Sequence, residues 1–252
     1  MKYRLPIVPV LLASSLRPFA QEHADVVAKQ LANPVASLAS VPLQYNVDFG
    51  YEPDDGVRQV LNVQPVIPHG LSEDWNLITR VIVPVVYQDD VIGRSSQFGL
   101  GDTTPSFFLS RKQPTAGGWI FGFGPVFLLP TATDSLLGTK KWGAGPTGLA
   151  LRQTETGWTY GALVNHLWSF AGDEDRSDIS STFIQPFLAR QFPGGRTLTL
   201  NVESTYDWKG EQWTVPVNLV YSKVTKIGSQ TVSFAGGVRG YADAPEGGPG
   251  WG

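Results

Sequence analysis

The chain has no cysteine, and only 16% of its 252 residues are charged, against roughly 25% in an average soluble domain. Without a thiol there is no disulfide, no cysteine zinc site and no thiolate nucleophile, and the chain suits passage through an oxidising compartment while unfolded. Basic runs are missing as well. None is longer than Lys140-Lys141 and the net charge is −3, which argues against nucleic acid as a partner, since phosphate neutralisation needs clustered Lys or Arg. No stretch reaches the ~20 consecutive apolar residues that a membrane-crossing helix needs. The three histidines, His23, His69 and His166, stand too far apart for a paired metal motif. His69 is expected in a turn, and His166 on a strand face with Tyr160, Val164 and Trp168. No Gly-x-Ser-x-Gly elbow occurs either.

What the chain has instead is 28 glycines, 19 prolines and 12% aromatics, a mixture that weakens helices and suits strands joined by turns. A secreted soluble β-sandwich shares that composition. At the start, Lys2 and Arg4 precede an apolar stretch from Leu5 to Leu16, with Ala20 as a small cleavage residue, so residues 1–20 read as an export signal. Residues 21–40 read differently: Ala24, Val27, Leu31 and Val35 recur at helical spacing until Pro34 ends or kinks the run. They form an expected short helical arm.

From Val41 the period becomes two. Leu43, Tyr45, Val47 and Phe49 alternate with Gln44, Asn46 and Asp48. The same pattern returns at Leu77–Tyr87, Trp119–Leu129, Leu198–Trp208 and Trp213–Tyr221, so each segment is a strand with one apolar and one polar face. Three features separate a membrane barrel from a soluble sheet. The segments run to about ten residues or more, as a tilted bilayer-crossing strand requires. Aromatics such as Trp75, Tyr87, Trp158, Trp168, Trp208 and Trp213 gather toward segment ends, where water meets lipid. Short connections such as 69–72, 154–157 and 193–195 alternate with longer ones at 52–56, 88–97, 133–141 and 172–178, as outer-membrane barrels do. The expected fold is therefore all-β, an antiparallel transmembrane barrel over residues 41–252. About eleven strands are present of an expected twelve, because bacterial barrels have even numbers, so the final strand is expected to be missing.

Several stretches carry a resemblance. They include Asn33-Pro34-Val35-Ala36-Ser37-Leu38, Glu73-Asp74-Trp75-Asn76-Leu77-Ile78, Phe98-Gly99-Leu100-Gly101-Asp102, Gly124-Pro125-Val126-Phe127-Leu128-Leu129-Pro130 and Glu211-Gln212-Trp213-Thr214-Val215-Pro216. Together these resemble a family of outer-membrane transporters grouped under the meta-pathway of phenol degradation, some of whose members carry a misleading neuromedin U label. The resemblance spans nearly the whole chain after the signal region and marks fold more than chemistry. It implies a barrel that passes hydrophobic or aromatic compounds, and it brings no catalytic residues. Members of that family continue past the equivalent of Gly250-Trp251-Gly252 into a final apolar strand.

Gly143 to Gly148 matches the G-x-G-x-x-G string of nucleotide loops, but a strand-like Leu149-Ala150-Leu151 follows where a helix is required. The glycines read as small residues on a crowded strand face, and no cofactor is expected. More informative are charges inside strands: Arg80, Asp102, Arg190, Glu203, Asp207 and Arg239, with Asn201 on the same polar row. Arg on the lipid face costs about 2–4 kcal/mol at mid-depth, so these are expected to line the lumen, whether as ion pairs across it or as a polar path. The functional expectation is a passive outer-membrane channel or transporter for small solutes, in contact with outer-membrane lipid. Two other readings stand beside it: a soluble secreted β-sandwich or barrel that binds a ligand, and a barrel lipid hydrolase using His166 with a nearby serine such as Ser169.

Overall fold

The computed structural model describes residues 16–252. Helix α1 spans Leu16–Leu31 and stops before Asn33-Pro34, as expected, because proline disfavours helical backbone at the residue before it. The helix takes in residues 16–20, assigned above to the export signal; the rest of that signal lies outside the described residues.

Strands follow as β1 (Leu43–Tyr51), β2 (Gly56–Val63), β3 (Val66–Gly70), β4 (Trp75–Asp89), β5 (Ser96–Leu100), β6 (Thr104–Arg111), β7 (Trp119–Leu128) and β8 (Lys141–Gln153). The series continues with β9 (Trp158–Gly172), β10 (Ser180–Phe192), β11 (Arg196–Val202), β12 (Ser204–Asp207), β13 (Gln212–Thr214), β14 (Pro216–Ile227) and β15 (Gln230–Tyr241). All pairings are antiparallel, and the main path runs β1-β2-β4-β6-β7-β8-β9-β10-β11-β14-β15, which is eleven staves. Four staves are each interrupted once, at Gln64-Pro65, Gly101–Thr103, Glu203 and Val215. Pro65 has no N–H to give a ladder. The string Gly143–Gly148 lies wholly inside β8, so no helix follows it. His69 falls within β3, paired with Leu77, rather than in a turn.

Where the first and last staves meet, the C-terminal residues lie between them. Phe49 N–H donates to Trp251 O at 2.9 Å, and Gly250 N–H to Phe49 O at 2.9 Å. On the other side Arg239 and Gly252 exchange two bonds of 2.9 Å. Residues 250–252 thus occupy a twelfth position, antiparallel to both neighbours, and the Trp251 indole stacks on Phe49 with centroids 4.5 Å apart.

Parity sorts the side chains. Leu43, Tyr45, Phe121, Phe123, Val164, Leu188, Leu198, Leu200, Leu219, Tyr221, Phe234 and Val238 stand exposed on the outer face. Their neighbours of opposite parity, among them Asp48, Gln64, Asn76, Ser106, Thr147, Thr159 and Asn218, are buried inside. An outward apolar belt of this kind is stable in hydrocarbon and not in water.

The belt predicts the effect of a misplaced charge. Val83→Arg and Leu219→Arg, both on the outer face, should each cost about 2–4 kcal/mol of insertion stability. Urea titration of the barrel folded into lipid vesicles would measure this, and wild-type stability in both variants would refute the assignment of faces.

Candidate functional site

The interior has two unlike walls. One is apolar: Ile78, Phe108, Leu149, Leu151 and Leu163 form a buried cluster, with Val66, Ile120, Phe183 and Phe187 against it. The other is a hydrogen-bonded polar band that runs from β4 round through β1 to β15, β14 and β11. Arg80 Nη2 donates to Gln64 Oε1 (2.9 Å), Gln64 Nε2 to Gln44 Oε1 (2.9 Å), and Gln44 Nε2 to Asn46 Oδ1 (3.2 Å). Asn46 Oδ1 also accepts from Arg239 Nη2 at 3.2 Å. Arg239 is the hub. It pairs with Asp48 at 3.1 Å and Glu203 at 3.3 Å and donates Nε–H to Asn218 Oδ1 at 2.7 Å. Asn218 in turn donates to Asn201 Oδ1 at 2.7 Å, and Gln185 donates to Glu203 Oε1 at 3.2 Å. Such a network is worth having only because nearly every member is satisfied.

Of the residues expected in the lumen, Arg80, Asn201, Glu203 and Arg239 therefore lie there, joined by one network. Three others do not line it as expected. Arg190 stands on the outer face, since its neighbours Ala189 and Gln191 point inward, the latter to Thr159 Oγ1 at 3.0 Å. It lies over Trp158 and Phe192 (5.1 and 5.8 Å to the centroids) and donates to Thr156 O. At the rim an outward arginine costs only about 0–1 kcal/mol, and the rings favour the cation. Asp207 sits exposed at the very end of β12, where its carboxylate accepts Lys209 N–H of the following turn at 2.9 Å.

Asp102 falls in the break between β5 and β6. Gln97, Gly99 and Gly101 point inward before it and Ser106, Phe108 and Ser110 after it, so the alternation slips by one place. Its carboxylate holds a loop instead: it accepts from Ala132 N–H (3.2 Å), Thr139 N–H (2.6 Å) and Thr139 Oγ1–H (2.7 Å). Arg176 adds bonds to Ser135 O and Gly138 O. The loop folds inward, and Leu137, 7% exposed, lies on the inner face over Gly99 and Gly101.

From the short-turn end the N-terminal arm also enters. Val35 packs into the apolar cluster so closely that a Cβ on Gly122 would meet its Cγ1 at 3.1 Å. Asn76 Nδ2 donates to Ser37 Oγ at 2.6 Å, Gln153 Nε2 to Lys29 O at 2.7 Å, and the Gly195 N–H to Asp25. Gly195 has φ of +70° and only 3.0 Å between its would-be Cβ and Ala24 Cβ, a position for glycine alone.

His166 faces outward. Its Nδ1 bonds Thr182 Oγ1 at 2.7 Å and its Nε2 lies 3.4 Å from Ser180 Oγ, whereas Ser169 Oγ donates to Asp178 at 3.2 Å, so the serine beside the imidazole is Ser180 and not Ser169. At the long-loop rim, Lys141, its side chain 8% exposed, reaches Asp178 at 3.1 Å, and Lys140 reaches Asp173 at 3.2 Å. Asp178 is held below the usual carboxylate range chiefly by the Lys141 hydrogen bond. Asp173 is held low chiefly by the Asp175 N–H and then by Lys140.

Sequence reasoning passed over Gln64, Gln185 and Asn218 because it followed formal charge; their polar parity was the available signal. It also passed over Arg58, opposite Asp48 across β1 and β2.

A closed antiparallel ring with an apolar exterior, a polar inner band and aromatic rims defines a transmembrane β-barrel. Among solved structures, the fold matches the crystal structure of an outer-membrane channel from Pseudomonas putida F1 at a TM-score of 0.62 and 13% identity, covering 84% of this chain and 87% of that one. No family model matches the sequence, and no curated protein does.

Two tests follow from this geometry. Asp102→Ala should free the 129–140 loop, because each lost bond to the carboxylate contributes about 1.5–3 kcal/mol. Trypsin cleavage at Lys140 in the folded barrel should then accelerate at least ~10-fold, and an unchanged rate would show that Arg176 suffices. Since a depressed carboxylate keeps its ion pair until pH falls through the lowered value, the Asp178 tether should survive mild acid and be lost only below the usual ~3.9. Carboxyl carbon NMR should show that low midpoint, rising toward the ordinary carboxylate value in Lys141→Gln while the Ser169 hydrogen bond still holds part of the depression; a midpoint that does not move would remove Lys141 as the cause.

Proposed function

We propose that the chain is a passive channel of the bacterial outer membrane for small solutes with an apolar or aromatic body. The observation that carries this reading is the divided interior, in which a satisfied polar band faces an apolar wall. A barrel built only for stability needs no such division, because side chains of one character can fill the interior. The outer belt supports lipid as the surrounding partner, with the short turns toward the periplasm and the long loops outside. The fold shared with a protein described as a channel supports passage of solute, and the resemblance to the phenol-degradation family supports its apolar or aromatic character. The arm below and the Leu137 loop above narrow the path, so small molecules are favoured over bulk flow.

Planar-bilayer recordings test it. The parent should conduct, and Glu203→Gln should shift the anion-to-cation permeability ratio toward anions by about fivefold, the effect of about 1 kcal/mol for one unit charge near the ion in water. Arg80→Gln should shift it the opposite way. Absence of conductance, or the same selectivity in all three proteins, would overturn the channel reading.

A further inference from the structure

The outer wall carries a cleft of its own at the long-loop rim. It encloses about 280 Å³, and Trp168, Ser169, Asp178, Ser180, Trp208 and Lys209 line it. Register places it on the side away from the lumen. His166, which faces outward, is opposite Thr182, and Trp168 is opposite Ser180 two residues further toward the rim. Thr182 is in turn opposite Tyr206 on β12, so the row continues to Trp208. Both tryptophans stand exposed.

A tryptophan at a bilayer rim ordinarily gives its N–H to the headgroup layer and its ring to hydrocarbon. Trp208 spends its N–H within the protein, on Thr182 Oγ1 at 2.8 Å, so what the indole has left for the cleft is ring carbon. Tyr206 braces it edge-on with centroids 4.8 Å apart. The same Thr182 hydroxyl bonds His166 Nδ1 at 2.7 Å, and the imidazole lies 4.0 Å from the Trp168 ring, centroid to centroid. Both indoles are thus held by one set of contacts.

The charged groups of the cleft are only partly used. Asp178 Oδ1 accepts from Lys141 Nζ and Ser169 Oγ, while Oδ2 has no partner among the described residues. Lys209 is near enough to act on the Asp178 charge, yet among the described residues Asp178 pairs with Lys141 alone and Lys209 pairs with nothing. Two indoles, a carboxylate oxygen and an ammonium around one small cleft match a phosphorylated sugar. The C–H face of a pyranose carries partial positive charge and suits the negative face of an indole. Its hydroxyls donate to Asp178, and a phosphate on the ring meets Lys209. A phosphate without a sugar would leave the rings idle and be repelled by Asp178. Position decides between a free sugar and one carried on a lipid. Toward mid-membrane on the same two staves, Val164 and Leu188 stand exposed, so acyl chains attached to the headgroup would lie along the apolar belt.

We propose that this cleft seats the phosphorylated sugar headgroup of a glycolipid in the outer leaflet of the membrane around the barrel. The choice of leaflet rests on the reading above that the long loops face outside, while the cleft itself is tested by binding alone. Native mass spectrometry follows lipid retention by the barrel refolded in a detergent that contains no sugar. The probes are lipid A (an acylated, phosphorylated glucosamine disaccharide), phosphatidylglycerol as phosphate and chains without a sugar ring, and the deacylated disaccharide phosphate. Lipid A should bind at least ~10-fold more tightly than either, the combined scale of stacked rings and apolar chains. Trp168→Leu and Trp208→Leu keep the rim apolar and should each weaken lipid A binding at least ~3-fold. Lys209→Gln, in an exposed turn that the fold does not need, should weaken it about fivefold, the effect of one basic residue at a membrane surface. Trp158→Leu, at the opposite rim, should bind as the parent does.

The proposal is overturned if phosphatidylglycerol binds as tightly as lipid A, if the Trp168, Trp208 and Lys209 variants match the parent, or if Trp158→Leu weakens binding equally. Equal binding of the deacylated disaccharide would overturn the lipid and leave a site for soluble sugar. Conductance of the same preparation keeps this apart from the channel reading, because the cleft lies outside the lumen. Lipid A binding by a silent barrel would remove the channel and leave the cleft, and conductance without that binding would do the reverse.

Discussion

A strand in hydrocarbon finds no water for its backbone, so every N–H and C=O must pair with a neighbouring strand, and a sheet meets that demand only by curving until its edges join. In this chain the joint runs through Gly250–Gly252, which bond to Phe49 and Arg239 on either side. Inside the joint, the Arg239 guanidinium reaches from β15 to Asp48 and Asn46 on β1. Once the ring is drawn together, each side chain has two destinations, lipid or lumen, and a period of two assigns them along the whole length of every stave. A charge on the wrong parity has no intermediate place to go except the rims, where Arg190 is found.

That dependence explains what could be read from the residues alone. Eleven staves, the long-and-short rhythm of their connections and the inward direction of Arg80, Asn201, Glu203 and Arg239 are all local consequences of alternation. Asp102 was misjudged because the alternation slips between Gly101 and Thr104, and a single-residue slip leaves no mark in composition. Arg190 was judged by the cost of burying a charge at mid-depth, although it sits beside Trp158 at the rim, where that cost is small. Asp207 has the expected parity but lies where its strand is already turning. The inward fold of the 129–140 loop and the seating of Val35 are contacts between residues far apart in the chain, and no periodicity encodes them.

The two walls of the interior have different origins. The polar band lies on the first staves and the last ones, β1 to β4 and β11 to β15, which meet at the joint. The apolar wall lies mostly on β6 to β10, opposite. Polar groups therefore collect around the joint, where directional hydrogen bonds and ion pairs help to fix register between staves that no short turn connects. The middle staves are registered by their hairpins, so their inner faces are free to be apolar. A solute passing between the walls meets side chains held for two separate reasons.

The arm that precedes β1 touches residues far along the chain: Val35 with Ile78 and Leu163, Lys29 with Gln153, Asp25 with Gly195. Part of its seat, at Gln153, Leu163 and Gly195, is made by staves that follow it by more than a hundred residues. The segment synthesised first among those described therefore cannot dock until the last hairpins have formed around it, and contacts of such long range form slowly. Assembly of this barrel ends near the point where the chain begins, and the ring must gather around its own arm, because a finished wall would leave it only the mouth at the short-turn end as a way in.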